Sequence, residues 1–219
     1  MRHTLNQFNF IAPLYDRVAQ LVFGQAISVA QLRLIQYLPP SPVVCIVGGG
    51  SGEFLSALLQ VHPTAQVIYI ESSSAMIQLS QAKLTKNQAA QVTWIHATHE
   101  ALMSTDELNT LELSHVNVMC TFFFLDVLTP SEAKDWIVKI SDQLPSHACW
   151  LFADFIPSSK LWQRLFVRLM YICFYIVSGL KNQQLADYNQ YLTDAGWLPA
   201  HRQTRCRGMI TSTVYRRDS

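Results

Sequence analysis

Charge is scarce in this sequence: Asp, Glu, Lys and Arg together make up 14% of its 219 residues, and the formal net charge is +1. A chain this close to neutral lacks the electrostatic footprint of a nucleic-acid binder. The one basic concentration is late, at Arg202, Arg205, Arg207, Arg216 and Arg217, and it reads as a solvated strand face and tail. Cysteine pairing is missing too. Cys45, Cys120, Cys149, Cys173 and Cys206 are odd in number and widely spaced, with no C-x-x-C pair. Most sit in apolar runs, as buried thiols do, which fits a reducing compartment. The opening stretch MRHTLNQFNF has no basic-then-apolar leader pattern, so a cytoplasmic location is expected. No repeat, low-complexity tract or metal-ligand spacing is visible, and no bound metal is expected.

What is abundant is apolar sequence, half of all residues. That much, at this length, supports one packed domain over 1–219. One run, Leu161 to Leu180, is long enough to suggest a membrane span. Arg164 and Arg168 argue against it, since each would cost about 2.5–3.5 kcal/mol near a bilayer centre. At helical spacing Lys160, Arg164, Arg168, Tyr171, Tyr175 and Ser178 share one narrow polar stripe. The expectation is an amphipathic helix over 158–180 with a wide apolar face.

The pattern along the chain alternates. Residues 5–38 read as two helices broken near Gly24 and ended by Pro39-Pro40-Ser41-Pro42. Strand-like runs follow at 43–47, 66–70, 92–96, 115–121 and 148–154, separated by helical stretches at about 53–61, 73–86, 99–111 and 130–144. A helix at about 184–196 and strands at 199–206 and 209–216, meeting at Gly208, close the chain. Strands alternating with helices predict a parallel sheet of βαβ units. The fold class expected is therefore α/β, a doubly wound, mostly parallel seven-stranded sheet with an antiparallel C-terminal hairpin. Within it 1–42 forms a helical cap, 43–154 the core, 155–183 an inserted helix and 184–219 the closing helix and hairpin.

The sharpest local signal is Val43-Val44-Cys45-Ile46-Val47-Gly48-Gly49-Gly50-Ser51-Gly52-Glu53-Phe54, an apolar strand that runs through glycines straight into a helix. Glycines there permit positive φ and let a ligand reach the backbone, at the strand end where open α/β sheets bind. A dinucleotide fingerprint, G-x-G-x-x-G, would need glycine where Glu53 stands. The spacing is G-x-G-x-G instead. Glu71, at the end of the second strand in Ile70-Glu71-Ser72, can accept hydrogen bonds from both hydroxyls of a ribose.

This pair of motifs resembles the class I S-adenosylmethionine-dependent methyltransferases. Trp94-Ile95-His96-Ala97-Thr98-His99-Glu100-Ala101-Leu102 is similar to the third-strand segment of those of ubiquinone and menaquinone biosynthesis, as is the stretch from Phe8 to Tyr15-Asp16. The resemblance spans about residues 8–150. It implies S-adenosyl-L-methionine as cofactor, a Rossmann-like fold and a small-molecule methyl acceptor. By it Gly48, Gly50 and Gly52 cradle the methionine part and Glu71 holds the ribose. Thr98 and His99 flank the adenine, and Thr121 and Phe122 line the floor beside the sulfonium. Tyr15, Gly49, Ser72 and Met76 complete the expected cofactor contacts. Two positions depart from the family: Ile46 and Thr98 stand where acids are usual.

Methyl transfer asks the protein mainly for alignment and a dry pocket, and a cationic donor gains from aromatic faces. Alternation along a strand favours Phe122 or Phe123 over Phe124 for the pocket. An oxygen acceptor needs a base unless already acidic; Asp154, Asp126 and His99 are the candidates. The helix at 158–180, with Trp162, Phe166, Met170 and Tyr171, is expected either to close over an apolar or aromatic acceptor or to build a homodimer interface. The competing function is a non-catalytic cofactor-binding regulatory or interaction protein on the same fold.

Overall fold

The computed structural model describes residues 25–98, 101, 111–156 and 185–217. Seven strands form one sheet: β1 (Val43–Val47), β2 (Gln66–Glu71), β3 (Val92–His96), β4 (Val118–Phe122), β5 (Cys149–Phe155), β6 (Trp197–Arg205) and β7 (Ile210–Arg217). Their order is β3-β2-β1-β4-β5-β7-β6. The first five are parallel, and β7 lies antiparallel between β5 and β6. This is the expected doubly wound sheet with its antiparallel ending.

The central strands read as unbroken apolar runs because both their faces are covered. All seven residues of β5 are buried. Cys45, Val47, Met119, Trp150 and Phe152 belong to one core, while Val44, Ile46, Cys120, Leu151 and Ala153 belong to the other. The first core is built on three tryptophans in series. Trp136 meets Trp150 edge-on at 5.9 Å and Trp150 meets Trp197 at 5.4 Å. The polar ends of two are satisfied: Trp150 Nε1 donates to Thr121 Oγ1 and Trp197 Nε1 to Ser141 Oγ, each at 2.8 Å. Such rings bring large apolar area, and a buried N–H needs an acceptor.

Six α-helices lie among the described residues: α1 (Ala26–Leu32), α2 (Glu53–Val61), α3 (Ser74–Ala82), α4 (Lys86–Ala89), α5 (Pro130–Gln143) and α6 (Tyr188–Asp194). In α2, Phe54, Leu55, Leu58 and Leu59 are buried, the one-sided spacing that docks a helix on a sheet. α5 opens on a capping box between Thr129 and Glu132, with Pro130 in its first turn.

The single helix expected at 73–86 is two. Thr85 takes an extended conformation and forms a capping box with Gln88, starting α4 where α3 has ended. The strand expected at 115–121 begins later, because Leu113–His115 form a 3-10 turn, and it runs on to Phe122. At the C-terminal end β6 starts two residues early at the buried Trp197, and the helix expected over 184–196 is shortened to α6, capped by Asp187. The two last strands are joined by a 3-10 turn at Cys206–Gly208. The first N-terminal helix, most of the helix at 99–111 and the helix at 158–180 lie outside the described residues, as do Tyr15 and His99.

Candidate functional site

The C-terminal ends of β1, β2 and β4 converge on the glycine turn. Gly48, Gly50 and Gly52 have φ of +69°, +62° and +77°, a region that L side chains avoid. Three of the four glycines have a close neighbour, each a different one. A Cβ on Gly49 would stand 2.2 Å from the Tyr69 ring, and one on Gly52 would stand 2.6 Å from Ser80. One on Gly48 would press on Phe124 at 3.3 Å. Gly50 has nothing within 4 Å of that position. Three glycines are needed by the fold; the fourth leaves room against the backbone.

Glu71 stands beside that room. Its Oε2 accepts from Gly50 N–H at 2.9 Å and its Oε1 from Ser73 N–H at 2.9 Å, with Ser72 Oγ at 3.3 Å. An ionised carboxylate has about four acceptor sites, so one remains on Oε2, and on Oε1 the long Ser72 contact is the one a stronger donor could replace. Below the turn, the Tyr69 hydroxyl donates to Gly50 O at 2.8 Å and lies 2.9 Å from Ser80 Oγ. Ser80 Oγ is 2.9 Å from Gly50 O as well as from Met76 O. Sequence reasoning missed Tyr69 and Ser80. The signal was present for the first, since Tyr69 and Glu71 are two apart on one strand and face the same way.

The other predicted residues fall as follows. Met76 is buried in α3, and its amide donates to Ser73 Oγ. Thr98 is half-buried and accepts from Ala101 N–H at 3.5 Å. Thr121 is level with Val47 of β1, but its hydroxyl is held by Trp150. Phe122 packs edge-on against Phe54 at 4.7 Å. Ile46 is buried in the same core as Phe54, so β1 offers no carboxylate at that level. Of the three phenylalanines, Phe124 is the one brought against the glycine turn.

Asp126, beyond the end of β4, meets Asp154 at the end of β5, just before Phe155. Asp154 is fully buried; Phe155 N–H donates to its Oδ1 at 2.8 Å, and its Oδ2 has no hydrogen-bond partner among the described residues. Burial pushes its carboxyl well above the ordinary carboxylate range, and the charge of Asp126 adds to this. The amides of Phe155, Asp126 and Leu125 offset part of it. The buried Tyr188 hydroxyl has no partner among the described residues and is pushed up by burial, then by Asp154 and Asp126. Two carboxyls and a phenol in one dry site resist carrying two negative charges together. Nothing in the sequence marked Tyr188, which reaches this place only through the tertiary fold. Among the described residues there is no group of three metal-ligating side chains.

A family profile described as a methyltransferase domain matches residues 44–144. A search of curated proteins finds no match. Among solved structures, an O-methyltransferase family protein from Burkholderia thailandensis superposes with a TM-score of 0.71 at 13% identity, covering 95% of this chain and 60% of its own. The 1,6-didemethyltoxoflavin-N1-methyltransferase of the same organism, solved with 1,6-didemethyltoxoflavin and S-adenosylhomocysteine, gives 0.66 at 13% identity and covers 98% and 88%. An O-methyltransferase family 2 protein from Planctomyces limnophilus, in complex with apigenin, gives 0.64 at 16% identity and covers 92% and 61%. This chain thus spans about three fifths of the length of the two O-methyltransferase family proteins. Residues 44–144 match the profile of a methyltransferase domain, and the sheet that holds them has the fold of these solved structures.

Proposed function

We propose that this chain binds S-adenosyl-L-methionine at the glycine turn and transfers its methyl group to a small apolar or aromatic molecule. The observation that carries the reading is the pairing of Gly50, open on its ligand side, with Glu71 beside it. The residues fit the cofactor. Gly48, Gly49, Gly50 and Gly52 would form the cradle of its methionine end. Glu71 would take the ribose through the open site on Oε2 and by exchanging the long Ser72 contact on Oε1 for a ribose hydroxyl. Met76, Thr98 and His99 would border the adenine, and Tyr15, Thr121 and Phe122 would complete the enclosure. When bound, the cofactor supplies an electrophilic methyl group on a sulfonium. The glycine turn does not favour a dinucleotide: Gly52 is filled by Ser80, and the exposed Glu53 accepts from Ser28 Oγ at 2.6 Å.

The acceptor would lie over β4 and β5, near Asp126 and Asp154. Of the three candidate catalytic groups, Asp126 is the carboxyl nearer solvent, Asp154 lies fully buried behind it, and His99 remains a candidate on the adenine side. Solved neighbours holding apigenin and 1,6-didemethyltoxoflavin support an aromatic acceptor, and the segment Trp94–Leu102 supports a place near the ubiquinone and menaquinone group. The helix at 158–180 would cover that acceptor or join two copies. Among the described residues no helix is long and apolar enough to cross a membrane. The free thiols Cys45, Cys120 and Cys149, all buried, support a cytoplasmic setting, and the near-zero charge supports a partner other than nucleic acid.

A second reading, cofactor binding without transfer, is favoured by Ile46, an aliphatic side chain where an acid would meet the cofactor's amino group. Calorimetry with S-adenosylmethionine, S-adenosylhomocysteine and NAD(H) tests the first step. One molecule of each of the first two should bind per chain and NAD(H) should not. Formation of S-adenosylhomocysteine over a panel of phenols and heterocycles then separates the two readings. Binding of NAD(H) in place of the sulfonium compound would defeat both.

A further inference from the structure

The backbone of Gly50 is held by side chains on both sides, at its N–H and at its C=O. Glu71 takes its N–H from one side, and Tyr69 and Ser80 address its C=O from the other, at 2.9, 2.8 and 2.9 Å. Both residues are fully buried. The Tyr69 ring is wedged beneath Gly49 and is 5.0 Å from the Trp94 ring. A loop with three positive-φ glycines has many conformations to choose from, and these contacts select one.

We infer that Tyr69 and Ser80 are positioning residues that fix the glycine turn for the amino-acid end of the cofactor. The inference rests on the cofactor reading above. Counting hydrogens shows why both are needed. Two hydroxyls supply two hydrogens, and the carbonyls of Gly50 and Met76 both lie in reach. Without the Tyr69 hydroxyl, Ser80 has one hydrogen to divide between two carbonyls, and the Gly50 carbonyl loses its undivided donor. Glu71 does not depend on this clamp, because Ser73 N–H and Ser72 Oγ still hold its other oxygen. The nucleoside half of the site therefore survives a change that loosens the amino-acid half.

The experiment compares two ligands on Tyr69→Phe, which keeps the ring under Gly49 and removes only the hydroxyl. S-adenosylhomocysteine carries the amino-acid end; 5′-methylthioadenosine keeps the nucleoside and sulfur without it. The dissociation constant for the first should rise about five- to tenfold, the effect of one net hydrogen bond, while that for the second stays within about twofold. Ser80→Ala should give the same pattern and serves as the test if Tyr69→Phe does not fold. Equal losses for both ligands would mean general loosening and would overturn the inference, as would no loss for either. A wild-type chain that binds neither ligand would instead defeat the cofactor reading itself.

Discussion

Adding a single carbon to Gly49 and to Gly50 should damage the protein in opposite ways. At Gly49 the new Cβ would stand 2.2 Å from the Tyr69 ring, against an ordinary contact of 3.4 Å or more. Tyr69 is fully buried, so its ring cannot swing aside without dropping the hydroxyl contacts to Gly50 and Ser80. Overpacking of this kind costs about 1–3 kcal/mol, and two lost hydrogen bonds add about 1 kcal/mol each. For Gly49→Ala the total is roughly 3–5 kcal/mol, a fall in melting temperature of about 10 °C for a chain of this size. At Gly50 nothing is struck, and only the positive φ is penalised, by about 1–2 kcal/mol. Gly50→Ala should melt within about 5 °C of wild type. Its Cβ occupies the free side of the turn, so its affinity for S-adenosylhomocysteine should fall at least tenfold, or about 1.4 kcal/mol. Thermal melts and calorimetry on the two variants decide the matter. A Gly49→Ala chain more stable than Gly50→Ala, or a Gly50→Ala chain that binds like wild type, would refute the assignment.

Two further outcomes are expected. Glu71→Ala removes charge-assisted contacts worth about 1.5–3 kcal/mol each, so the affinity for S-adenosylhomocysteine should drop at least tenfold by calorimetry; an unchanged affinity would reduce Glu71 to a brace for Gly50 and Ser73. Asp154→Asn tests the buried carboxyl. Its folded pKa is raised, so its stabilising contribution is complete below the unfolded value of about 3.9 and is lost as pH rises through the folded value. The melting temperature of Asp154→Asn relative to wild type should therefore climb from about pH 4 upward, and a difference that stays flat to pH 8 would show that Asp154 titrates normally.

The strands were legible because parallel strands buried on both faces leave unbroken apolar runs, as in Val43–Val47 and Cys149–Phe155. The glycine turn was legible because few other arrangements place four glycines between a strand and a helix. The break between α3 and α4 was written in Thr85 and Gln88, a capping signal overridden by the longer helical pattern around it. Phe124, expected to be less suited to the pocket, packs in the core against Trp136. Phe123 takes φ +51°, which ends the alternation of β4 and lets Phe124 lie both in the core and beside Gly48. The meeting of Asp126, Asp154 and Tyr188 joins residues from three distant elements, and no local pattern encodes it.

The position of β7 has a kinetic consequence. It pairs with β5 along the whole of that strand, from Cys149↔Arg216 to Phe155↔Ile210, yet it emerges from the ribosome after every other strand. Until then the outer edge of β5 presents a row of unpaired amides and carbonyls on an apolar strand, the kind of surface that recruits other chains. The contacts that cover it are long-range, and long-range pairing forms slowly. A nascent chain arrested before Ile210 should thus be the aggregation-prone species of this protein, and the fold should close from its last strand inward.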